Sequence, residues 1–207
     1  QQPADTAWVT ALIRRAERVM ALYGDPDRID YAHLQAYLQR EQMRICQAEE
    51  MAHQLRLHIV RPFYRQLHPQ RHLETIPGIG QDSAAVYMAF IGDILRFPTL
   101  NDFRGWSGLI PFSHQSANAQ ARGLRITKAG PDLLKATAFL NAGIARQWDP
   151  QIAAVYYQQM MHHGKHHLQA ICACATHLLD RVYAVLRENR PYALRDVDGQ
   201  PLTKRQA

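Results

Sequence analysis

No run of about 18 apolar residues occurs in this 207-residue chain. Nor does any stretch combine a charged start, an apolar core and a small-residue end. A membrane-spanning helix and a secretion signal are therefore not expected. Cysteine is scarce, three in all, and an odd number gives no disulfide framework and points to a reducing compartment. No segment alternates apolar and polar residues long enough to read as a convincing strand, and no repeat recurs at a fixed period. A starting methionine is also lacking. The chain opens Gln1-Gln2-Pro3, which reads as a fragment or processed product with part of its function outside. Acid is outnumbered, with Lys+Arg 24 against Asp+Glu 18, giving +6 and a pI near 9.4. That balance permits a nucleic-acid partner without proving one.

Residues 6–23 predict a first amphipathic helix, with Trp8, Leu12, Val19 and Tyr23 on one face. A longer helix is expected from Asp30, a good N-cap, to near Val60. In it Leu38, Ile45, Ala52 and Ile59 are seven apart, with Ala48 and Leu55 three residues after two of them. This is a heptad seam, broken at Glu41 and Pro62. A helical hairpin with residues 6–23 and a homodimer through the long helix both remain open. Pro62 and His68-Pro69-Gln70 mark a boundary. The expected organisation is an arm at 1–69, a compact domain at 70–190 and a polar, frayed tail at 191–207. In the domain a short helix is expected over Leu100 to Trp106, capped by Asn101 or Asp102. Residues 107–129 read as irregular, and helices follow near 131–147, 150–162 and 165–189. Pro131 and Pro150 suit first turns. The fold class is all-α: a coiled-coil arm followed by a compact helical domain.

The stretch from Leu73 to Gly92 carries the strongest local signal. Ile76-Pro77-Gly78-Ile79-Gly80 predicts a tight turn between helical patterns, and Ala84, Ala85, Met88 and Ile91 behind it recur at helical spacing. The second helix should start near Gln81, with its unpaired N–H groups and positive dipole end beside the glycines. A helix-hairpin-helix of this kind would grip a nucleic-acid backbone through Gly78, Ile79 and Gly80 without reading bases. The alternative is an ordinary helical hairpin that uses Pro and Gly. A second signal is the loop from Ser107 to Lys128, long for a compact domain. It holds Ser107, Ser113, Ser116, His114, Gln115, Arg122, Arg125, Thr127 and Lys128. A serine among cations could attack a phosphodiester. A solvated basic loop lying on DNA would have the same composition.

The order of motifs resembles the C-terminal domain of the IS-one-ten (Piv-type) insertion-sequence transposases, from about 73 to 190. The resemblance rests on Ile76 to Gly80, Ile91-Gly92-Asp93 with Phe97, and Trp106-Ser107-Gly108-Leu109-Ile110-Pro111. It continues through Gln115-Ser116 and Ile126-Thr127-Lys128-Ala129-Gly130, then Leu134-Lys135, Gly164-Lys165 and the small-residue helix from Ala170 to Ala175. It implies that Ser116 is the nucleophile, forming a covalent phosphoserine link to DNA. Gln115, Arg122, Arg125, Thr127 and Lys128 would hold phosphate. The sequence departs from the family pattern at Ala117, where glycine is usual, and at Pro131, where asparagine is usual. The family also carries an N-terminal RuvC-like domain whose four acidic residues hold a divalent metal, magnesium. Nothing in this chain matches it, so the fragment alone should lack activity and a metal site. Several members are guided by a bridge RNA, which makes such an RNA a candidate partner beside DNA and a second copy of the chain. The implied setting is the bacterial cytoplasm, associated with the nucleoid. Two rivals remain: a non-catalytic helix-hairpin-helix module binding DNA or structured RNA, and a dimerising scaffold with a degenerate site.

Other features carry less. His162-His163 and His166-His167 flank Gly164-Lys165, which spoils a metal-binding spacing and suggests a polar helix junction. Cys172 and Cys174 diverge by about 200° on a helix and read as small core residues. Tyr156-Tyr157 and Met160-Met161 read as packing residues.

Overall fold

A computed structural model describes residues 11, 14–19, 21, 31–109, 115–116, 119–120 and 129–202. The chain divides into two compact units, Gln1–Gln54 and Leu55–Ala207.

In the first unit the described part of the predicted first helix is helical at residues 11, 14–19 and 21. The rest of that prediction, with Trp8, Leu12 and Tyr23, lies outside the described residues, as does the N-cap expected at Asp30. Helix α1 spans Tyr31–Leu55. Its described side chains are exposed, apart from a half-buried Glu41. Local pairs such as Arg44–Glu41 at 3.0 Å and Gln54–Glu50 at 2.6 Å decorate it. Pairs of this kind contribute only tenths of a kcal/mol each.

The second unit begins with a π-helical turn, Arg56–Val60, and helix α2, Arg61–Leu67. The sequence suggests that helix stops at Pro62. Instead Pro62 lies in the first turn of α2. Proline would clash with the carbonyl four residues back in a regular helix, and the wide turn ahead of it, with Arg61 N bonded to Arg56 O, removes that demand. A 3-10 turn, His72–Thr75, leads into the Ile76–Gly80 turn and then α3, Gln81–Ile91. Helix α4, Leu100–Ser107, starts with a capping box. Its N-cap is Thr99, and Asp102 is the box partner rather than the cap, with Thr99 N donating to Asp102 at 3.0 Å. Helix α5 is Asp132–Ala145, with Pro131 as N-cap. Helix α6 is Pro150–Tyr157, capped by the Asp149 carboxylate. A π turn at Gln158–His162 and then α7, His167–Glu188, follow; α7 ends at left-handed Asn189.

Helix α7 is the spine of this unit, packed against α4, α5 and α6. It buries Ile171, Cys174, Ala175, Leu178, Leu179, Val182 and Val185. Helix α5 packs on it and buries Leu134, Ala138, Ala142 and Ala145, small residues that let neighbouring backbone approach closely. Two two-residue strands, Gln115–Ser116 and Ala119–Gln120, pair antiparallel. They are a small departure from the wholly irregular loop expected there, and the fold is all-α. Residues 192–202, the described part of the expected tail, are tied down rather than frayed. Tyr192 N donates to Thr75 at 2.7 Å, and Leu202 N donates to Leu194 O at 2.8 Å.

Candidate nucleic-acid interface

The predicted turn forms around two hydrogen bonds, Ile76 N to Leu73 O and Ile79 N to Ile76 O, both 3.1 Å. Pro77 takes the second position of the turn and Gly78, at φ +85, the third, where a left-handed residue is required. Gly78 is constrained a second time. A Cβ on it would lie 2.5 Å from the Asn141 carbonyl oxygen and 3.0 Å from Ala145 N, both on α5. Ile76 and Ile79 are buried in the core. This half of the motif therefore anchors the turn to α5. Gly80 differs: it caps α3 in an extended conformation, and a Cβ there would meet nothing within 4 Å.

Helix α3 starts at Gln81, as the spacing predicts. Its first turn already carries the Asp82 carboxylate, which complements the helix dipole. Arg61 holds that carboxylate through two hydrogen bonds of 2.7 and 2.9 Å, and Arg65 donates to the Gln81 amide oxygen at 2.9 Å. The start of α3 thus sets a helix N-terminus beside an acid compensated by Arg61 and a guanidinium that bonds a neutral amide and also acts on Glu74. Arginines 61 and 65 belong to an acid-free run from residue 51 to 73, which also contains Arg56, Arg71 and four histidines. The run is legible in the sequence as a charge bias, yet it straddles the expected boundary at 69–70 and escapes a reading made domain by domain.

Behind the turn lies a buried polar set. Ser83 donates to Asn141 at 3.0 Å, and Asn141 donates to the Tyr87 hydroxyl at 3.0 Å. Burial pushes the Tyr87 phenol well above its ordinary range, with the Asn141 bond opposing it. A second set surrounds buried Asp149. It accepts from Arg181 at 3.1 Å and from the Tyr192 hydroxyl at 2.7 Å, besides capping α6. Burial raises Tyr192 to about 12.

The serine-bearing loop is described at its two stems and its short ladder. At one stem Gly108 ends α4 in the left-handed conformation, and Leu109 O accepts from Thr176 on α7 at 2.8 Å. At the other, Gly130 has φ +75, and a Cβ on it would lie 2.4 Å from Ser107 O and 2.6 Å from Trp106 O. Lys135 donates to Ala129 O at 3.0 Å. The two stems are thus pressed against each other. Ser107 is buried and its hydroxyl donates to Arg104 O at 2.8 Å, which commits it to the end of α4. In the ladder Gln115 pairs with Gln120 and Ser116 with Ala119. Ser113, His114, Ala117, Arg122, Arg125, Thr127 and Lys128 lie outside the described residues.

Among the described residues no group of three or more His, Cys, Asp or Glu could hold a metal ion, and no helix is long and apolar enough to cross a membrane. His167 instead bonds Tyr156 at 2.8 Å. Cys174 is buried, and burial pushes its thiol up to about 11.

Residues 70–158 match the Transposase IS116/IS110/IS902 family, a span that includes the turn, the loop stems and α5. The chain is 31% identical over 130 residues to the insertion element IS110 uncharacterized 43.6 kDa protein of Streptomyces coelicolor, covering 63% of this chain and 32% of that one. It is 32% identical over 120 residues to the pilin gene-inverting protein of Moraxella lacunata, covering 58% of this chain and 37% of that one. It is 31% identical over 126 residues to the insertion element IS900 uncharacterized 42 kDa protein of Mycobacterium paratuberculosis, covering 59% and 31%. The chain therefore matches about a third of the length of each of these relatives.

Proposed function

Because residues 70–158 match the IS116/IS110/IS902 transposase family, we propose that this chain is the serine-bearing part of a DNA transposase or site-specific recombinase. The observation that carries this reading is the family match itself, which takes in both the Ile76–Gly80 turn and the loop with Ser116. A relative is named for inverting a pilin gene, and inverting a gene requires DNA strands to be cut and rejoined.

In the proposed reaction Ser116 Oγ attacks a backbone phosphorus. The new bond is serine O–P, the bond broken is P–O to the departing strand end, and the hydroxyl proton leaves with a base or solvent. A hydroxyl from another strand then reverses the step, so phosphodiester energy is retained in the protein–DNA link. Gln115, Arg122, Arg125, Thr127 and Lys128 hold the phosphate and bear the developing charge. Gly78, Ile79 and Gly80 shape the turn that brings a second stretch of backbone to the start of α3, the Ile79 N–H itself being committed to Ile76 O, and Arg61 and Arg65 extend that contact. A divalent metal such as magnesium finds no ligand set among the described residues. The proposal assigns it to a RuvC-like domain of a longer protein. A bridge RNA and a second copy of the chain, joined through α1, are the further proposed partners.

In a full-length protein, Ser116→Ala should abolish strand exchange, by on the order of 10⁶ in rate, while DNA binding stays near wild type. Alanine removes the attacking oxygen but no charge. Exchange within roughly tenfold of wild type, about 1.4 kcal/mol of barrier, would rule out serine as the nucleophile and favour a module that only positions nucleic acid.

A further inference from the structure

The loop that carries Ser116 leaves the scaffold at Leu109 and rejoins it at Ala129. Each of these residues is tied by a side chain from a different helix. On α7, Thr176 Oγ1 donates to Leu109 O at 2.8 Å. Within its own helix the same hydroxyl has Cys172 O, four residues back, at 3.3 Å. That carbonyl alone would satisfy the hydroxyl of a helical threonine, yet the shorter bond goes to the loop. One turn further along α7, Asp180 accepts from Arg104 Nε and Nη2 at 2.7 and 2.6 Å. Arg104 lies in the last turn of α4. Two positions of α7, four residues apart and so on one face, therefore fix where α4 ends and the loop begins.

On α5, Lys135 donates to Ala129 O at 3.0 Å and pairs with Asp132 at 2.9 Å. Ala129 is exposed, so water could serve its carbonyl. Lysine also loses much rotamer freedom when it is held. The contact therefore rescues no buried group; what it supplies is a fixed place for the end of the loop. Between the two ties the stems touch, with Gly130 against Ser107 O and Trp106 O.

Fixed ends matter because of leverage. Ser116 is seven residues beyond Leu109, a reach of at most about 25 Å. Over such an arm a swing of about 3° at the stem carries the far end by about 1 Å. A misplacement of that size at a reacting atom can cost on the order of 10² in rate.

We propose that Thr176 and Lys135 are positioning residues for strand exchange, holding the two ends of the loop so that Ser116 Oγ is presented to phosphorus at a fixed distance. They act through the loop rather than on the phosphate. The assignment rests on Ser116 as the nucleophile, and adds which residues outside the loop set its rate.

The test is single-turnover strand exchange by a full-length protein at saturating DNA, where a rate constant and an amplitude are read separately. A partly unfolded variant loses amplitude and keeps its rate constant; a mispositioned serine keeps amplitude and loses rate. Thr176→Val, which removes the hydroxyl and keeps the shape, should lower the rate constant about tenfold or more, with DNA affinity within about twofold of wild type. Thr176→Ser should recover most of the rate. Lys135→Met, at the exposed stem, should act in the same direction and decides the case if Thr176→Val does not fold. If either folded variant exchanges strands at the wild-type rate constant while Ser116→Ala is inactive, or loses amplitude alone, its tie is structural and the assignment falls while the nucleophile stands. A Thr176→Ser chain as slow as Thr176→Val would also overturn it. If Ser116→Ala itself exchanges strands, the nucleophile and the assignment fall together.

Discussion

Leu38 and Ile45 in α1 are seven residues apart and 58% and 59% exposed. Ile171 and Leu178 in α7 have the same spacing and chemistry and are 2% and 0% exposed. Both pairs satisfy the same periodic pattern. Helix α7 finds its cover inside its own unit, from α4, α5 and α6. Helix α1 has exposed apolar residues along its length, including Met43, Met51 and Leu55, and its described side chains make no core. A heptad therefore states that a face needs covering and leaves open what covers it.

The contrast can be broken most forcefully in the compact unit. Gly78→Ala would combine a left-handed backbone with a Cβ 2.5 Å from the Asn141 oxygen, and should destabilise the unit by about 2–5 kcal/mol. Gly80→Ala, which meets open space and exchanges one N-cap for a poorer one, should cost only about 1 kcal/mol. Urea unfolding curves for the two variants would decide. Equal losses would mean that the turn is not anchored on α5.

The arm is the place to sharpen the comparison. Replacing Ile45 and Leu55 together with glutamate should convert an associated chain to monomers in light scattering, because charges then occupy the seam. The melting of the compact unit should move by no more than about 0.5 kcal/mol. A wild-type chain that is already monomeric at high concentration would show that the seam needs no second copy.

The smallest expected effect is alkaline. Burial raises the phenols of Tyr64 and Tyr192 to about 12, so folding favours their protonated forms. That stability is complete below pH 10 and is lost as pH rises from 10 toward 12. Denaturation midpoints should fall across that window, and Tyr192→Phe should make the fall shallower while lowering the starting value. An unchanged slope in Tyr192→Phe would show that the Tyr192 hydroxyl does not report on folding.

Helix positions in the compact unit were largely legible in the sequence, because caps and starts are local. Gln81 begins α3 and Pro150 begins α6 for reasons visible within a few residues. The start of α4 at Leu100 was legible, but its cap was misplaced by two or three residues because Asn101 and Asp102 looked like caps, whereas Thr99 and Asp102 form a reciprocal pair. The break expected at Pro62 failed because a π turn accommodates the ring. Long-range causes left no local trace. The residue that forbids a side chain at Gly78 is Asn141, 63 positions away, and Gly130 is required by the backbone of Trp106 and Ser107. The family resemblance supplied Ser116 as candidate nucleophile. Thr176 carried no motif at all; its distinction is the bond to Leu109 O, 67 positions away, which only the packing of α4 on α7 reveals.

The clasp between Gly130 and the end of α4 has a consequence for how such a chain can change over time. Because the stems are held by α4, α5 and α7, the sequence between them is closed by the scaffold whatever it contains. Doubling the length of a closed loop costs only about 0.6 kcal/mol in closure entropy. Insertions, deletions and wholesale exchange of the intervening residues are therefore nearly neutral for folding. Selection can act on that stretch for its chemistry without reopening the question of whether the domain folds.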